Sequence, residues 1–289
     1  MKIITTHLIS ACVLVAGLGL ARVRLDEKPV LSQDKDKKVA DPPKKFTNSL
    51  DMEFVLIPKG KSWLGGGNGK EGTNEVKMSQ DFYLGAYVVT QDEWRKIKDT
   101  NPSYFSRSGA GKDKVKDISD ADLKRFPVER VSWNSAQEFI KLLNERVKKD
   151  AKEAGWEYRL PTESQWEYAC RNGAMTDKAE SAFDYYFEKP SKTLSREQAN
   201  FFDSGLKRAC KVGSYLPNRL GLYDMCGNVS QWCDGRFENK KGEALRPCRG
   251  GSWSLAATVC RVVDAGWYYP DDADGDLGFR LARIPFSGK

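Results

Sequence analysis

Between Arg249 and Arg261 the sequence reads RGGSWSLAATVCR, which places one cysteine, Cys260, behind a glycine pair, a serine and a tryptophan. A thiol in that setting admits two chemistries. As a thiolate it is a nucleophile or a soft-metal ligand; oxidised, it is one half of a structural bridge. Ser252 in the same stretch has no base near it in sequence, so it reads as a hydrogen-bonding group rather than a nucleophile.

The histidine count narrows the chemistry further. The chain has one histidine, His7, and it lies in an apolar N-terminal span in which Lys2 is the only Lys, Arg, Asp or Glu before Arg22. That span ends in Gly19-Leu20-Ala21 and reads as a signal peptide over 1–21. A lipoprotein signal is the alternative, with Ile9-Ser10-Ala11-Cys12 as the lipobox and Cys12 as the anchor. Under either reading the protein is exported, to the periplasm or the extracellular space, and its mature form has no imidazole. Ser-His-Asp and Cys-His relays, histidine-ligated zinc and the iron facial triad are thereby excluded. Six cysteines follow the leader: Cys170, Cys210, Cys226, Cys233, Cys248 and Cys260. In an oxidising compartment they suggest disulfides, in a connectivity that sequence alone leaves open.

The formal net charge is +7, from 47 basic and 40 acidic residues. The basic residues are scattered, with no basic helix and no nucleic-acid motif, so the charge reads as solubility. No nucleic-acid partner and no membrane span are expected. Near the C-terminus, PDDADGD gathers Asp271, Asp272, Asp274 and Asp276 beside Gly275. It lacks the EF-hand register and reads as a solvated acidic loop, with a weak surface calcium site as the alternative.

The elements that must hold these residues are short. Residues 22–48 are charged and proline-bearing, a flexible linker. The domain is expected over 49–285, and the roughly 240 residues after the linker can bury one large core. EFVLIPKGKSWLGG reads as two strands around a turn, closed by the glycines 65 to 67, and DFYLGAYVVT as another strand. Thr90 caps a helix QDEWRKIK. The apolar spacing of Ala136, Phe139, Ile140, Leu142, Leu143 and Val147 predicts a helix that Gly155 ends. Thr162 and Gln165 form a capping box for ESQWEYACRN. Beyond Gly173 periodicity is lost. One α+β domain rich in irregular loops is expected.

Four stretches in order, MEFVLIPKGKSWLGG, FPVERVSWNSAQEFIKLLN with YRLPTESQWEYACR, GLYDMCGNVSQW, and RGGSW followed by CR and PDDADGDLGFRLA, resemble the sulfatase-modifying-factor family, whose founding member is the formylglycine-generating enzyme. The resemblance spans residues 47 to 284. It implies an α+β fold, the formylglycine-generating-enzyme variant of the C-type-lectin-like fold, loop-rich with short helices and small twisted sheets. It also implies an oxidase that converts a sulfatase cysteine to formylglycine, using two cysteines that hold Cu(I). Counted forward from Gly250, the first of those positions is Leu255 and the second is Cys260. Counted back from Pro270 and Leu277-Gly278-Phe279-Arg280, Cys260 falls on a non-cysteine position. Both counts leave the pair incomplete, so copper is not expected.

The resemblance assigns further roles. It implies a disulfide between Cys170 and Cys260, the alternative being a redox-active Cys260. Closing that loop of about 90 residues would restrict the unfolded chain by roughly 4–5 kcal/mol. It implies a substrate groove bearing Ser252, Trp253, Trp267 and Tyr268, with Tyr269 flanking, and an inward-pointing Arg280. It implies a calcium loop in which Asp224 and Gln231 give side-chain oxygens and Gly227 and Val229 give carbonyls, and a second calcium site beginning at Asn200 and Phe201. Two functions follow as candidates: the oxidase, and a non-catalytic module presenting 254–276, with its small Ala256, Ala257 and Ala265, to a peptide, glycan or sulfatase-like protein. An iron enzyme is disfavoured by the missing histidines.

Overall fold

Local capping explains where the helices begin. Thr90 and Thr162 each accept from the backbone N–H three residues on, and Glu93 and Gln165 reach back to close both capping boxes. The computed structural model describes residues 44–286; the expected signal peptide, Cys12, His7 and most of the linker lie outside them. In chain order the elements are β1 (Lys45–Thr47), β2 (Glu53–Ile57), β3 (Gly60–Leu64), β4 (Asn74–Met78), β5 (Phe82–Gly85), α1 (Gln91–Lys98), α2 (Asp120–Lys124), α3 (Trp133–Val147), β6 (Trp156–Arg159) and α4 (Glu163–Cys170). They continue with β7 (Ser230–Trp232), β8 (Phe237–Glu238), β9 (Ala244–Arg249), β10 (Ala265–Tyr268), β11 (Leu277–Phe279) and β12 (Ala282–Pro285).

Five strands form one antiparallel sheet in the order β1-β2-β5-β12-β6, so the last strand of the chain lies between early ones. A second sheet runs β10-β9-β7-β11, with β8 on β9 and β11 parallel to β7. Against the first sheet pack α1 and α3, where the Trp94 and Phe139 rings stack at 5.3 Å. Trp166, Tyr168 and Ala169 of α4 fill a second core with Ile57, Leu84 and Tyr186. Between α4 and β7 the chain makes no α-helix and no sheet strand, only brief 3-10 turns at Lys178–Ala182 and Phe202–Ser204. This is the stretch whose sequence lacks periodicity.

Three expectations need correction. The domain starts before residue 49, because Phe46 on β1 packs against Phe54 and Tyr83 and lies 3.9 Å under the Arg283 guanidinium. β2 and β3 are not a hairpin pair: β2 lies between β1 and β5, while β3 pairs with β4. Finally, α3 ends at Val147 rather than near Gly155. Asp150 caps a separate turn there, which turns the Glu153 carboxylate inward to Arg283 Nε at 2.8 Å and the Tyr158 hydroxyl at 2.6 Å.

Candidate functional site

The glycine pair turns the chain out of β9. Gly250 and Gly251 have φ of +93° and +65°, and a Cβ on Gly251 would lie 2.5 Å from Cys260 Sγ. Only glycine fits so close an approach at that angle. Arg249, just before the turn, is held on both sides. Its guanidinium donates to the Glu167 carboxylate and, at 3.1 Å, to the Val263 carbonyl. Glu167 also accepts from Arg171 Nε at 2.9 Å and from the Gly65 N–H at 2.7 Å. Two arginines thus share one buried carboxylate beneath the turn, and the rest of Arg171 is taken by the Ser181 and Gly65 carbonyls and the Tyr186 hydroxyl.

Past the turn, two hydroxyls converge on one acid. Ser252 Oγ donates to Asp276 Oδ2 at 2.7 Å, and Ser254 Oγ donates to the same oxygen. The Ser230 N–H fixes the Asp276 carbonyl at 2.8 Å, which joins the acid to the second sheet. Trp253 lies alongside, its Nε1 donating to the Gly275 carbonyl at 3.1 Å and its ring edge-on to Phe105 at 5.4 Å. Lys114 Nζ sits 6.0 Å from the centre of the same ring. Behind Gly275 lies a second carboxylate, that of fully buried Glu129, which accepts from the Tyr104 and Phe105 N–H groups at 2.9 and 2.8 Å. Burial pushes Glu129 up to about 7, and the nearby charge of Asp276 pushes in the same direction.

A carboxylate bridged by two serine hydroxyls beside an indole can hold a hydroxyl, an amine or a guanidinium. It has no imidazole partner with which to activate a nucleophile. Glu129 is the residue that sequence reasoning missed; Ser254 and Asp276 entered it as the ends of the presented loop. Asp276 was assigned to a solvated loop, but that loop is tied down: Asn134 Nδ2 donates to Asp271 at 2.7 Å, and the Arg130 N–H to the Asp274 carbonyl at 2.9 Å. A single acid within Phe126-Pro127-Val128-Glu129-Arg130-Val131 was the available signal for Glu129.

The expected groove residues do not gather at one place. Ser252 and Trp253 belong to the cluster just described. Tyr268 turns inward, edge-on to Trp232 at 6.0 Å, while Trp267 on the other face of β10 is exposed and lies against Phe237 at 5.1 Å. The two-residue alternation of a strand separates them. Tyr269 is exposed, and its hydroxyl donates to Glu243 at 2.8 Å. Leu255 lies half-buried in the same loop, its carbonyl accepting from the Phe202 N–H at 2.9 Å.

Cys260 is sealed under the turn, fully buried, and burial pushes its thiol up to about 12. Among the described residues all six cysteines are free thiols, and Cys226 and Cys260 pack in one buried cluster. The Gly227 N–H donates to the Gly250 carbonyl at 2.8 Å, which draws the turn carrying Cys226 against the glycine pair.

The calcium donors are engaged within the chain. Gln231 Oε1 accepts from Trp166 Nε1 at 2.8 Å and from Arg280 Nε at 3.0 Å, and Gln231 Nε2 donates to the Asp224 carbonyl at 2.8 Å. The Asp224 carboxylate turns to the Gly213 N–H at 2.8 Å, and burial raises it to about 6. Arg280 points inward as expected and is fully buried. It serves backbone carbonyls of Gly85, Ala86 and Tyr223 as well as Gln231, and burial lowers it to about 10. A guanidinium therefore occupies the amide oxygen that a cation would need, and the set at Asp224, Gly227, Val229 and Gln231 does not fit calcium as it stands. At the second place, Asn200 Oδ1 accepts from the Ser204 hydroxyl at 2.9 Å, the Asn200 carbonyl accepts from the Asn228 N–H at 2.7 Å, and the Phe201 carbonyl accepts from the Ser204 N–H at 2.9 Å. Among the described residues no group of three or more His, Cys, Asp or Glu side chains is placed to hold a metal, and no helix is long and apolar enough to cross a membrane.

Comparison with known proteins places this geometry in context. The sulfatase-modifying factor enzyme 1-like domain matches residues 39–285. The chaperone protein LppX of Paenibacillus barcinonensis is 25% identical over 240 residues, covering 70% of this chain and 80% of that protein. The formylglycine-generating enzyme of Streptomyces coelicolor is 31% identical over 183 residues, 54% of this chain and 52% of the enzyme. The inactive C-alpha-formylglycine-generating enzyme 2 of Bos taurus is 30% identical over 169 residues, 54% of this chain and 50% of that protein. The chain thus spans only about half the length of these last two relatives. Among solved structures, Treponema denticola variable protein 1 superposes with a TM-score of 0.65 at 24% identity, covering 83% of this chain and 99% of that one. PvdO from Pseudomonas aeruginosa does so with a TM-score of 0.63 at 22% identity, covering 84% and 99%. The fold is the formylglycine-generating-enzyme variant of the C-type-lectin-like fold.

Proposed function

This chain belongs to the sulfatase-modifying factor enzyme 1-like family, and from that premise we propose that it is an exported, non-catalytic binding module rather than a formylglycine-generating oxidase. The observation that carries the reading is the state of Cys260. An oxidase of this family needs two thiolates open to copper and to a substrate cysteine, whereas this loop offers Leu255 and one thiol sealed behind Gly251. Burial pushes that thiol up to about 12, so it keeps its proton at neutral pH and is a poor nucleophile.

The recognition surface is the loop from Ser254 to Asp276 with Trp253 beside it. The Ser252-Ser254-Asp276 cluster suits a ligand with hydroxyl or cationic groups, a glycan or a basic peptide segment. A sulfatase-like protein is a further candidate partner. One relative is named inactive and another a chaperone, so the family is not confined to proteins named as oxidases, and neither name identifies a ligand. Calcium has no part in this proposal, since its expected donors already serve Arg280, Trp166 and backbone groups.

The test is direct. The purified protein, charged with Cu(I) under anaerobic conditions and then given oxygen and a peptide bearing Cys-x-Pro-x-Arg, is expected to leave the cysteine unchanged by mass. Glycan and basic-peptide arrays are expected to give hits that Asp276→Ala weakens at least tenfold. Aldehyde formation on the peptide would overturn the proposal; blank arrays would remove its positive half.

A further inference from the structure

We propose that the cleft beside the C-terminal end of α4, between residues 172–190 and Arg219, binds a free aromatic α-amino acid, its ring inward and its zwitterionic head at the mouth. The cleft shares no residue with the Ser252-Ser254-Asp276 cluster, and the inference stands whatever that cluster binds.

The cleft has a volume of about 240 Å³. A cavity of about 150 Å³ takes one benzene ring, so there is room here for a ring and a short polar head. Met175 and Tyr186 form a buried floor, 6% and 2% exposed. Half-buried Phe183 meets Tyr186 edge-on at 6.4 Å, and Pro190 adds a further apolar wall. A ligand ring entering here finds the edge and face contacts that aromatic rings prefer. The polar groups of the floor are matched within the chain. Arg171 lines the cleft, but its guanidinium is engaged by Glu167, the Ser181 and Gly65 carbonyls and the Tyr186 hydroxyl. That hydroxyl donates in turn to the Glu180 carbonyl at 3.0 Å.

The mouth is different, because it presents two exposed and opposite charges, Arg219 and Glu180. Arg219 Nε donates to the Glu188 carbonyl at 2.9 Å, and among the described residues its two terminal nitrogens donate to nothing. Glu180 Oε1 accepts from the Thr176 N–H at 3.0 Å and from the Thr176 hydroxyl and the Asp177 N–H at 2.9 Å. Its Oε2 accepts from no group among the described residues. The Asp177 N–H foremost, and the Arg219 charge in part, hold this carboxyl below its ordinary value, so it is ionised at neutral pH. Asn172 fixes the mouth. Its Oδ1 accepts from the Arg219 N–H at 2.9 Å, and its Nδ2 donates to the Phe187 carbonyl at 3.3 Å. Both sides are thus held before a ligand arrives, which lowers the cost of binding.

Charge complementarity selects the occupant. Two open guanidinium nitrogens suit a carboxylate, and an open carboxylate oxygen suits an ammonium. A simple anion would meet the like charge of Glu180, and a simple cation that of Arg219. An α-amino acid carries both groups on one carbon and answers both charges, while the floor calls for an aromatic side chain.

The experiment is isothermal titration calorimetry of the full chain with L-phenylalanine, which is expected to show saturable one-to-one binding. Phenylpropionate, phenethylamine and L-alanine lack the ammonium, the carboxylate and the ring in turn, and each is expected to bind at least tenfold more weakly. Arg219→Gln and Glu180→Gln, both at exposed positions, are expected to weaken phenylalanine at least tenfold. Absence of saturable phenylalanine binding, equal binding of any of the three comparison compounds, or binding that both substitutions leave unchanged overturns the proposal. The comparison compounds are read on the unmutated chain, so a variant that fails to fold does not remove the test.

Discussion

Ser252 Oγ donates to Asp276 Oδ2 at 2.7 Å across 24 residues of chain, joining the glycine turn after β9 to the residue just before β11. Ser252 is fully buried, so this bond replaces hydration that its hydroxyl cannot recover. Asp276→Ala is expected to lower stability by about 1–3 kcal/mol, measured as the shift of the urea midpoint. Asp276→Asn, which keeps an acceptor, is expected to cost less. Equal effects from both variants would count against the hydroxyl–carboxylate pairing as the cause.

Glu167 is the shared counter-ion of Arg171 and Arg249, whose side chains are 0% and 5% exposed. Glu167→Ala takes the carboxylate from Arg171, leaves Arg249 with Glu163 at 3.8 Å, and is expected to cost about 3–5 kcal/mol. Glu238→Ala, which breaks the exposed pair with Arg236, is expected to cost less than about 1 kcal/mol. Guanidinium chloride unfolding of both variants decides it, and similar midpoints would show that the buried network is not a stability determinant.

Glu129 predicts a pH dependence with a definite sign. Its carboxyl is raised from 4.5 to about 7, first by burial, so the folded protein holds this proton to higher pH than the unfolded chain does. Between those values the folded state binds more protons, and stability falls as pH rises. The contribution is fully present below the unfolded value and is lost through the folded one, about 3 kcal/mol in all. Glu129→Gln gives up one backbone acceptor and is less stable throughout, but the slope of stability against pH from 4.5 to 7 is expected to flatten. An unchanged slope would sink this assignment.

Calcium is expected to leave the protein unmoved. Millimolar calcium or a chelator should not shift Tm, because binding to the folded state alone would raise it by mass action. The Gln231 amide oxygen is already saturated by Trp166 and Arg280. A rise of several degrees with calcium would mean that these donors rearrange around a cation.

Some of the fold could be read from the sequence residue by residue. The Thr90 cap and the Thr162–Gln165 capping box were legible because each is closed within three residues; that Glu93 completes a box at Thr90 came from the structure. The start of α3 and its buried face followed from apolar spacing, but its end did not. Val147 closes the helix because the turn capped by Asp150 sends Glu153 inward to Arg283, a partner 130 residues away. The pairing of β3 with β4 rather than β2 was likewise hidden, since strand propensity says where a strand is and not which edge receives it.

What the sequence determined by itself was a matter of presence and absence. Leu255 stands where a second thiol belongs, the only imidazole lies in the expected leader, and four motifs in order identify the family. No fold can supply a missing functional group, so these exclusions hold independently of structure. Tertiary structure decided which of the groups present meet: Ser252 with Asp276, Cys226 with Cys260 in one buried cluster, and Arg280 with Gln231. The physical reason is range. Capping and periodicity act over three or four residues, whereas these contacts join residues dozens of positions apart through loops whose paths are set by glycine turns and buried ion pairs.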